Sequence, residues 1–403
     1  MSYLENVREL LKYHGEVERE VYLDLENSAP VPSEVLEEML PYFNSRAYGN
    51  PTLTHKQGWE AYEAIMEAAS YIAKSIGASP EEICFTNGET EANNTAILGS
   101  VMKKKGKIVT STIDPLTILL PLKMLEKKGF NVVKVSTDSE GFINLEEFSK
   151  VVDKDTVLVS TSIVNNEIGT IQSFKEIIEI TRERSPEAII HMDASDAYGR
   201  IMFNVKEMDV DLVTLSSYKI MGPRGVAALY VKKGIEVERI IEGPVGTQNL
   251  WPGVENTPLI IGFKKASQLA FEKFEDNVNH MRKLRDMLIS ELLNIEDTIL
   301  NGPRGEKRAP DNVNISFLHC EGESLTIELS FRGVYVSSGS ACTRRILQPS
   351  HVLTAIGREY EVAHGSILMK VSRYHSVDDI KYVVESFKPA VERIRSISPT
   401  GRR

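Results

Sequence analysis

Residues 191–196 of this chain read HMDASD, and residues 216–225 read SSYKIMGPRG. Each stretch follows a short apolar run of the kind that forms a strand buried on both faces of a sheet. In open α/β sheets, ligands bind beyond the carboxyl ends of the strands, where Asp193 and Lys219 are expected to lie. The two stretches therefore predict a mainly parallel sheet with a ligand site at one edge.

Helix-like and strand-like segments alternate through most of the first two-thirds of the chain. This alternation is typical of crossover helices that cover both faces of a parallel sheet. The helical candidates include residues 58–76 and 173–184, where apolar residues recur at helical spacing. The strand candidates are residues 82–86, 107–111, 132–135, 156–160, 188–192 and 212–215.

The pattern changes near residue 258, because residues 263–293 predict one long charged amphipathic helix. The later segments that predict strands or a helix are residues 312–317, 333–337 and 376–397. We therefore expect a large α/β domain over residues 15–262 and a smaller α+β domain over residues 263–403. The N-terminal segment 1–14 is expected to join the smaller domain.

Composition narrows the possible functions of the 403-residue chain. Its formal net charge of −10 would repel a phosphate backbone, so nucleic acid is not an expected partner. No window approaches the roughly 20 apolar residues of a membrane span, and the N-terminus lacks a signal-like pattern. We expect a cytoplasmic protein that does not contact membranes. The three cysteines, Cys84, Cys320 and Cys342, lack metal-site spacing, so no metal or disulfide is predicted.

Lys219 lies between the end of a predicted strand and a turn rich in glycine and proline. An amine forms a Schiff base when it is held near a carbonyl and has lost its proton. A carboxylate opposite a pyridine nitrogen keeps that nitrogen protonated, which completes an electron sink. Separately, Lys219 would be a solvated surface lysine and Asp193 a helix cap. Their joint placement instead predicts a pyridoxal phosphate (PLP) site.

Residues 86–91, which read TNGETE, connect a predicted strand to a predicted helix. The backbone N–H groups and the Thr90 hydroxyl at such a helix start can hold a phosphate dianion, aided by the helix dipole. Threonine and glutamate also make a good helix start without any ligand. The segment therefore indicates a phosphate cradle only in the context of Asp193 and Lys219.

From about Tyr22 to about Ser398, the sequence resembles the NifS/IscS-type cysteine desulfurases of the class V aminotransferase group. The resemblance implies a PLP-dependent transferase of the aminotransferase-like fold (fold type I) that acts as a homodimer. It also implies that sulfur is removed from L-cysteine and passed to an iron–sulfur scaffold or another sulfur-acceptor protein. The segments that carry it are YLDLENSAP (22–30), GNP (49–51) with His55, TNGETE (86–91), VNNEIG (164–169), HMDA (191–194), Tyr218-Lys219 and SSGSACT (337–343).

The resemblance assigns roles to single residues. Lys219 matches the Schiff-base lysine, which also shuttles protons, and Asp193 matches the partner of the pyridine nitrogen. Cys342 matches the nucleophile that takes the substrate sulfur as a persulfide and leaves alanine. The other positions that match cofactor contacts are Glu89, Thr90 and Ser216 at the phosphate, Asn166 at the ring hydroxyl, and Asp196 and Tyr218 beside the ring.

The surroundings of Cys342 fit a reactive thiol on chemical grounds as well. It lies in a stretch of small residues, 337–343, and is followed by Arg344 and Arg345. Nearby cations favour the thiolate, and a loop can carry a persulfide from a pocket to an acceptor. Cys84, inside an apolar strand, fits the usual inert cysteine better.

Four positions of the family pattern are altered at the predicted site. Pro115 stands where relatives have the histidine that stacks on the cofactor ring, and Tyr218 replaces the histidine before the lysine. Asp196 replaces a glutamine near the ring oxygen. Leu368 replaces the arginine that binds the substrate carboxylate, and leucine cannot make charge-assisted bonds worth about 1.5–3 kcal/mol each.

The segment 243–254 departs from the family as well. Trp251 and Val254 stand where relatives usually have an arginine and a threonine, and that threonine reaches the phosphate group of the partner subunit. Weaker cofactor binding is the expected consequence.

Three interpretations of these changes stay open. The protein desulfurates cysteine, with Arg373 or another cation taking over the carboxylate. Alternatively, it is a PLP enzyme for another substrate, or an assembly component without turnover that presents the Cys342 thiolate. Intact Lys219, Asp193 and Cys342 favour catalysis. A nucleotide-binding α/β protein is disfavoured, since no glycine-rich phosphate loop of the usual kinds occurs.

Overall fold

The fold is built around strands that follow the apolar runs of the sequence. The computed structural model describes residue 17, residues 19–339 and residues 349–397. In this part of the chain the strands are β1 (Val21–Tyr22), β2 (Ile83–Thr86), β3 (Lys107–Ser111), β4 (Asn131–Val135), β5 (Thr156–Ser162), β6 (Ile189–Asp193), β7 (Leu212–Ser216), β8 (Ala227–Val231), β9 (Thr298–Leu300), β10 (Asn312–Phe317), β11 (Val334–Tyr335), β12 (Ser337–Ser338) and β13 (Ser366–Lys370).

Helices connect most of these strands. The α-helices of the described residues are α1 (Ser33–Met39), α2 (Pro41–Asn44), α3 (Lys56–Ser75), α4 (Glu89–Val101), α5 (Leu116–Lys127), α6 (Leu145–Val151), α7 (Phe174–Arg184), α8 (Val205–Met208), α9 (Thr257–Phe271), α10 (Phe274–Leu292), α11 (Gly322–Ser330), α12 (His351–Ala355), α13 (Tyr360–His364) and α14 (Val377–Ile397). Short 3-10 helices occur at Pro80–Glu82, Tyr218–Ile220 and Gly305–Lys307. None of the described helices is long and apolar enough to cross a membrane.

The large sheet has seven strands in the order β2-β8-β7-β6-β5-β3-β4. All neighbouring pairs are parallel except those of β8, which runs antiparallel to both β2 and β7. The predicted α/β fold with a mainly parallel sheet is therefore confirmed. β8 was not predicted from the sequence, because a short apolar run carries no periodicity that separates a strand from a buried helical turn.

Successive residues of the central strands pack into two apolar layers, one on each face of the sheet. In β5, Leu158 packs with residues of α4 and α5, whereas Val159 packs with residues of α3, α7 and α9. In β6, Ile189 packs in the same layer as Leu158, and Ile190 packs in the same layer as Val159. Each fully buried aliphatic side chain of this kind contributes about 1.5–3 kcal/mol. Helices on both faces thus fix the sheet and, with it, the positions of the strand ends.

A smaller core surrounds a second sheet of four strands in the order β12-β13-β10-β9. Phe317 of β10 stacks on Phe387 of α14, with ring centroids 5.3 Å apart. Val21 and Leu23 from the start of the described chain pack into the same core, and β1 pairs in parallel with β11. Residues 21–23 therefore contribute to the smaller core, whereas the segment 1–14 lies outside the described residues.

The long helix predicted over residues 263–293 is wrong as a single element, because the chain breaks between α9 and α10. The Asn277 side-chain amide donates to the carbonyl oxygens of Leu269 and Ala270, at 3.3 and 3.4 Å. Those carbonyls have lost their helical partners, so the amide stabilises the break. The apolar residues of α9 up to Phe271 pack with the larger core, and those of α10 from Phe274 pack with the smaller core.

A buried ion pair joins the two units. Arg200 follows β6, and its Nε lies 2.5 Å from Oδ2 of Asp311, which directly precedes β10. Its Nη2 donates to the carbonyl oxygen of Lys219 at 2.6 Å. Because both side chains are buried, removing one partner leaves the other charge without compensation.

We expect Asp311→Ala to lower the free energy of unfolding by about 3–5 kcal/mol, because it leaves the Arg200 guanidinium buried without a carboxylate. The matched control is Asp378→Ala, which removes the exposed pair with Lys381 and should cost less than about 1 kcal/mol. Chemical unfolding curves would measure both. Equal losses in the two variants would contradict this role of the pair.

Candidate active site

The carboxyl ends of β6 and β7 bring the predicted lysine and aspartate to one edge of the sheet. Asp193 is the last residue of β6 and pairs with Thr214 of the neighbouring strand β7. β7 ends at Ser216, and the 3-10 helix Tyr218–Ile220 then places Lys219 in the interior, with 2% of its side chain exposed. Lys219 is therefore not a solvated surface lysine.

Asp193 is held by two hydrogen bonds that fix its carboxylate. Its Oδ2 accepts from Nδ2 of Asn93 on α4, and its Oδ1 accepts from the backbone N–H of Ser195, both at 2.8 Å. Burial raises the pKa of Asp193, although these hydrogen bonds lower it. An opposing cation, such as a protonated pyridine nitrogen, would stabilise the charged form. The sequence analysis did not predict a role for Asn93. This residue lies one helical turn after Glu89, which belongs to the predicted phosphate-binding segment.

One position predicted to bind the phosphate, Ser216, has a buried hydroxyl without a hydrogen-bond partner among the described residues. The side-chain oxygens of Ser216 and Ser217 are buried and accept or donate no hydrogen bond among the described residues. Buried polar atoms without partners are rare in folded proteins, so the Ser216 hydroxyl fits a bound polar group. The Ser217 hydroxyl instead lies against Gly222, on the side of α9. Ser217 was not predicted from the sequence. Thr90 is exposed, which leaves the cradle open on that side.

Glu89 lies at the start of α4 within this cradle. Its Oε2 is buried and has no hydrogen-bond partner among the described residues. Burial raises its pKa to about 8, with Lys219 opposing the rise and Asp193 adding to it. At neutral pH the group is therefore mostly a neutral carboxylic acid. In that form it donates a hydrogen bond, which is compatible with a phosphate oxygen beside it.

The segment where relatives differ from this chain forms the far edge of the same cradle. Trp251 Nε1 donates to Oε1 of Glu91 at 2.5 Å, so the indole is anchored to the first turn of α4. Val254 is exposed and offers no polar group. The exposed edge near Thr90 thus has fewer side chains able to bind phosphate than the family pattern provides.

A cavity of about 190 Å³ lies beside these residues. The predicted positions Glu89, Asn166 and Tyr218 contribute to its lining, together with Pro115 and Leu368. The carboxylate of Glu26 also faces it, and no lysine or arginine is among its described lining residues. Among the described residues, the cavity therefore offers a substrate carboxylate several carboxyl groups but no lysine or arginine.

Pro115, which stands where relatives have the stacking histidine, lies in a loop that is held by hydrogen bonds. The Asp114 carboxylate accepts hydrogen bonds from the backbone N–H groups of Ser111 and Ser162, each at 2.8 Å, and this holds the adjacent Pro115. His351 also lines the cavity, and its Nε2 lies 2.9 Å from the Asp114 carbonyl oxygen. An imidazole therefore reaches the site from a different segment of the chain, which the sequence analysis did not predict.

Arg373 lies apart from this cavity. Its guanidinium contacts the carbonyl oxygen of Ile220 at 3.5 Å and covers the ring of Tyr374, with Cζ 4.8 Å from the ring centroid. Burial lowers its pKa. The structure thus brings Glu89, Asn166 and Tyr218 to the cavity, with Lys219 and Asp193 near Glu89. It does not bring Arg373 to the wall formed by Leu368.

The Lys219 ammonium is bound by two carboxylates. Its Nζ lies 2.5 Å from Oε1 of Glu26 and 3.1 Å from Oδ2 of Asp196. Asp196 was expected beside the cofactor ring, and its pKa lies well below its usual range, because nearby Lys219 and Lys370 outweigh the effect of burial. Glu26 was not predicted to belong to the site.

Cys342 lies outside the described residues. The described cysteines, Cys84 and Cys320, are both buried. Burial raises the pKa of the Cys84 thiol to about 12, which keeps it protonated and unreactive. Ser337, Ser338 and Gly339, which precede the segment of Cys342 in the sequence, line the cavity.

Comparisons with known proteins identify the family. The family described as Aminotransferase class-V matches residues 21–383. This chain belongs to the class-V aminotransferase family. The fold and the resemblance predicted from the sequence are thereby confirmed, and class-V aminotransferases and cysteine desulfurases use pyridoxal phosphate.

Named relatives of the family are close along nearly the whole chain. Cysteine desulfurase IscS 1 of Archaeoglobus fulgidus is 41% identical over 385 residues, which cover 95% of this chain and 100% of the relative. Cysteine desulfurase IscS of Dictyoglomus turgidum is 42% identical over 387 residues, covering 95% and 97%. A solved NifS-like protein superposes with a TM-score of 0.87 at 33% identity, covering 93% of this chain and all of that one. A structure described as SspA in complex with cysteine gives 0.77 at 30% identity, covering 88% and 99%.

The residues present fit the family's cofactor at its phosphate group and at its ring nitrogen. The buried, unpartnered hydroxyl of Ser216, at the end of a strand that contacts α4, fits a phosphate, and the buried Asp193 carboxylate fits a ring nitrogen. Lys219, the predicted Schiff-base residue, is also present and buried, but its amine is bound by the carboxylates of Glu26 and Asp196.

Glu167 lines the cavity and makes the stability of the protein depend on pH. Its Oε2 accepts a hydrogen bond from the Ser350 hydroxyl at 2.7 Å. Burial nevertheless raises the pKa of Glu167 from 4.5 to about 8, with Glu26 adding to the rise. The folded protein therefore binds a proton at Glu167 that the unfolded chain releases between these pH values.

We expect Glu167→Gln to flatten the decline in stability with rising pH. The Glu167 contribution is fully present below about pH 4.5 and is lost as the pH rises through about 8, so the variant should exceed the wild type at pH 9. The difference should be on the order of a few kcal/mol. Unfolding curves at pH 5 and pH 9 measure it, and Glu146→Gln at an exposed site serves as the control. A pH-independent difference would contradict the assignment.

Proposed function

We propose that this protein is a PLP-dependent cysteine desulfurase that converts L-cysteine to alanine and leaves the sulfur as a persulfide on Cys342. The observation that carries the proposal is the burial of Asp193 and Lys219 at the ends of adjacent strands, together with the unpartnered hydroxyl of Ser216. Relatives named cysteine desulfurases match nearly the whole chain, which supports the same substrate.

The side chains divide the work of holding the cofactor. Ser216 and the backbone N–H groups at the start of α4 would hold the phosphate, and Asp193 would face the pyridine nitrogen. Asn166, which donates to Oε1 of Glu26 at 2.9 Å, is available to the ring hydroxyl. When bound, PLP supplies an electron sink that stabilises negative charge on the substrate carbon.

Lys219 moves the proton in this scheme. Its Nζ lies 5.4 Å from the ring centroid of Tyr218, which lines the cavity, and it is flanked by the Glu26 and Asp196 carboxylates. The neutral amine removes a proton from the substrate and later returns it. The Cys342 thiolate attacks the substrate sulfur, so that the carbon–sulfur bond breaks and a sulfur–sulfur bond forms.

The proposal extends to the partners of the enzyme. The exposed Thr90 at the open edge of the phosphate cradle supports a homodimer, in which a second subunit covers this edge. The sulfur acceptor is an iron–sulfur scaffold or another acceptor protein, reached by the persulfide on Cys342. We place the protein in the cytoplasm, in keeping with its IscS relatives from prokaryotes.

A second candidate is an assembly component without turnover. The acidic cavity wall around Leu368 and the ion-paired state of Lys219 favour it, because the first weakens carboxylate binding and the second opposes attack by the amine. Visible colour without release of alanine would support this candidate, or a PLP enzyme with another substrate, over the desulfurase.

We expect Lys219→Ala to remove the visible absorbance of the holoenzyme and to lower alanine release by about 10²–10⁴-fold, because the amine is the proton carrier. Cys342→Ala should keep the colour and lose sulfide release. Absorbance spectra with alanine and sulfide assays measure these effects, and Cys320→Ala is the matched cysteine control. Undiminished alanine release in Cys342→Ala would rule out the persulfide route.

We expect Leu368→Arg to lower KM for L-cysteine by about tenfold, because one charge-assisted hydrogen bond to the substrate carboxylate adds about 1.5 kcal/mol. Leu368→Met preserves size without charge and should leave KM near the wild-type value. Steady-state alanine release at varied cysteine concentration gives both numbers. An unchanged KM in the arginine variant would show that the carboxylate binds elsewhere.

A further inference from the structure

Four buried side chains form a closed ring of charges around Lys219. Each of the carboxylates Glu26 and Asp196 contacts both Lys219 and Lys370, using a different oxygen for each ammonium group. Glu26 Oε1 lies 2.5 Å from Lys219 and Oε2 lies 2.5 Å from Lys370. Asp196 Oδ2 lies 3.1 Å from Lys219, and Oδ1 contacts Lys370. The two positive and two negative charges cancel, which makes their joint burial possible.

The ring is assembled from distant segments of the chain. Glu26 lies in the loop after β1, Asp196 after β6, Lys219 after β7, and Lys370 at the end of β13. All four side chains are at most 10% exposed, so water does not substitute for the missing partner when one is removed. Neither Glu26 nor Lys370 has a role in the scheme proposed above.

The ring opposes the reaction that Lys219 must undergo. Burial by itself lowers the pKa of Lys219, but Asp196 and Glu26 raise it well above the ordinary value. An ammonium group is not a nucleophile, so it must first release a proton to solvent. The neutral nitrogen then bonds to the aldehyde carbon, and the aldehyde oxygen leaves as water with the two remaining amine protons.

We infer that Glu26 and Lys370 are positioning residues that set how readily Lys219 gives up its proton and reacts with the cofactor aldehyde. Glu26 holds the ammonium form, whereas Lys370 competes with Lys219 for the same two carboxylates. This inference rests on the proposed use of PLP. It predicts opposite effects for the loss of the two side chains, because one change weakens the hold on Lys219 and the other strengthens it.

Other charged and titratable groups also face Lys219 and stay unchanged in the variants. The Arg200 guanidinium donates to the Lys219 carbonyl oxygen, and Arg373 lines a small void of about 20 Å³ with it. Among the described residues, the groups outside the ring that face the amine or its carboxylate partners include Tyr218, Glu89, Asp193, Glu167, Arg200 and Arg373. Since only one residue of the ring changes at a time, the direction of a shift reports on that residue.

The test measures the reactivity of Lys219 directly. Full-length wild type, Glu26→Gln and Lys370→Met, freed of cofactor, are mixed with pyridoxal phosphate over a pH series and reduced with borohydride. Peptide mass spectrometry gives the labelled fraction at Lys219, and exposed Lys150 reports on the reagent itself. The midpoint pH should fall by about one unit in Glu26→Gln and rise by a similar amount in Lys370→Met, about a tenfold change in neutral amine each.

A charge-preserving variant separates positioning from packing. Lys370→Arg keeps the competing cation and should return the labelling profile towards that of the wild type. Thermal unfolding checks that each variant is folded, and if Lys370→Met is not, the direction of the Glu26→Gln shift decides. Unchanged midpoints, or shifts of both variants in one direction, overturn the inference while leaving the proposed function intact. Labelling that never reaches Lys219 in any variant overturns both.

Discussion

The burial of one ammonium group governs the architecture of this site. Placing the charge of Lys219 in the interior would cost several kcal/mol without compensation. The chain offsets that cost with Glu26 and Asp196, and these in turn are matched by Lys370. The ring therefore ties the loop after β1 and the end of β13, which pack with the smaller core, to the strand ends of the large sheet. A requirement for neutrality at one atom thus fixes the relative position of the two units.

The large sheet supplies the rigid frame for this ring. Alternate residues of its central strands pack against helices on opposite faces, so the strand ends are held from both sides. Asp193 and Ser216 end adjacent strands, and Arg200 joins this edge to Asp311 of the smaller unit while binding the carbonyl oxygen of Lys219. Arg200 consequently links two contacts, the hydrogen bond to the Lys219 backbone and the ion pair with Asp311 between the units.

The described site residues fit the family's cofactor, whereas the charges along the cavity wall differ from the family pattern. Asp193, Asn93 and the unpartnered Ser216 hydroxyl provide groups for a phosphate and a ring nitrogen. Leu368 and Glu26 instead make the cavity wall apolar or acidic where a substrate carboxylate would require a cation. Within β13, Leu368 and Lys370 are two residues apart and so point to the same side of the strand. The cationic side chain on this face of β13, Lys370, therefore lies in the buried ring of charges and not at the cavity wall.

The sequence by itself determined the alternating fold, nearly every strand of the large sheet, and the joint placement of Lys219 and Asp193 at strand ends. These features follow from local periodicity and from the rule that parallel strands end at a common edge. It did not predict β8, the break between α9 and α10, or the contributions of Glu26, Asn93, His351 and Lys370. Its suggestion that Arg373 replaces the family arginine as the carboxylate ligand stays a prediction, and Arg373 does not line the cavity beside Leu368. Tertiary structure decided these points, because contacts such as Glu26 with Lys219 join residues far apart in sequence. Burial and charge neutrality, which no local pattern encodes, select such partners.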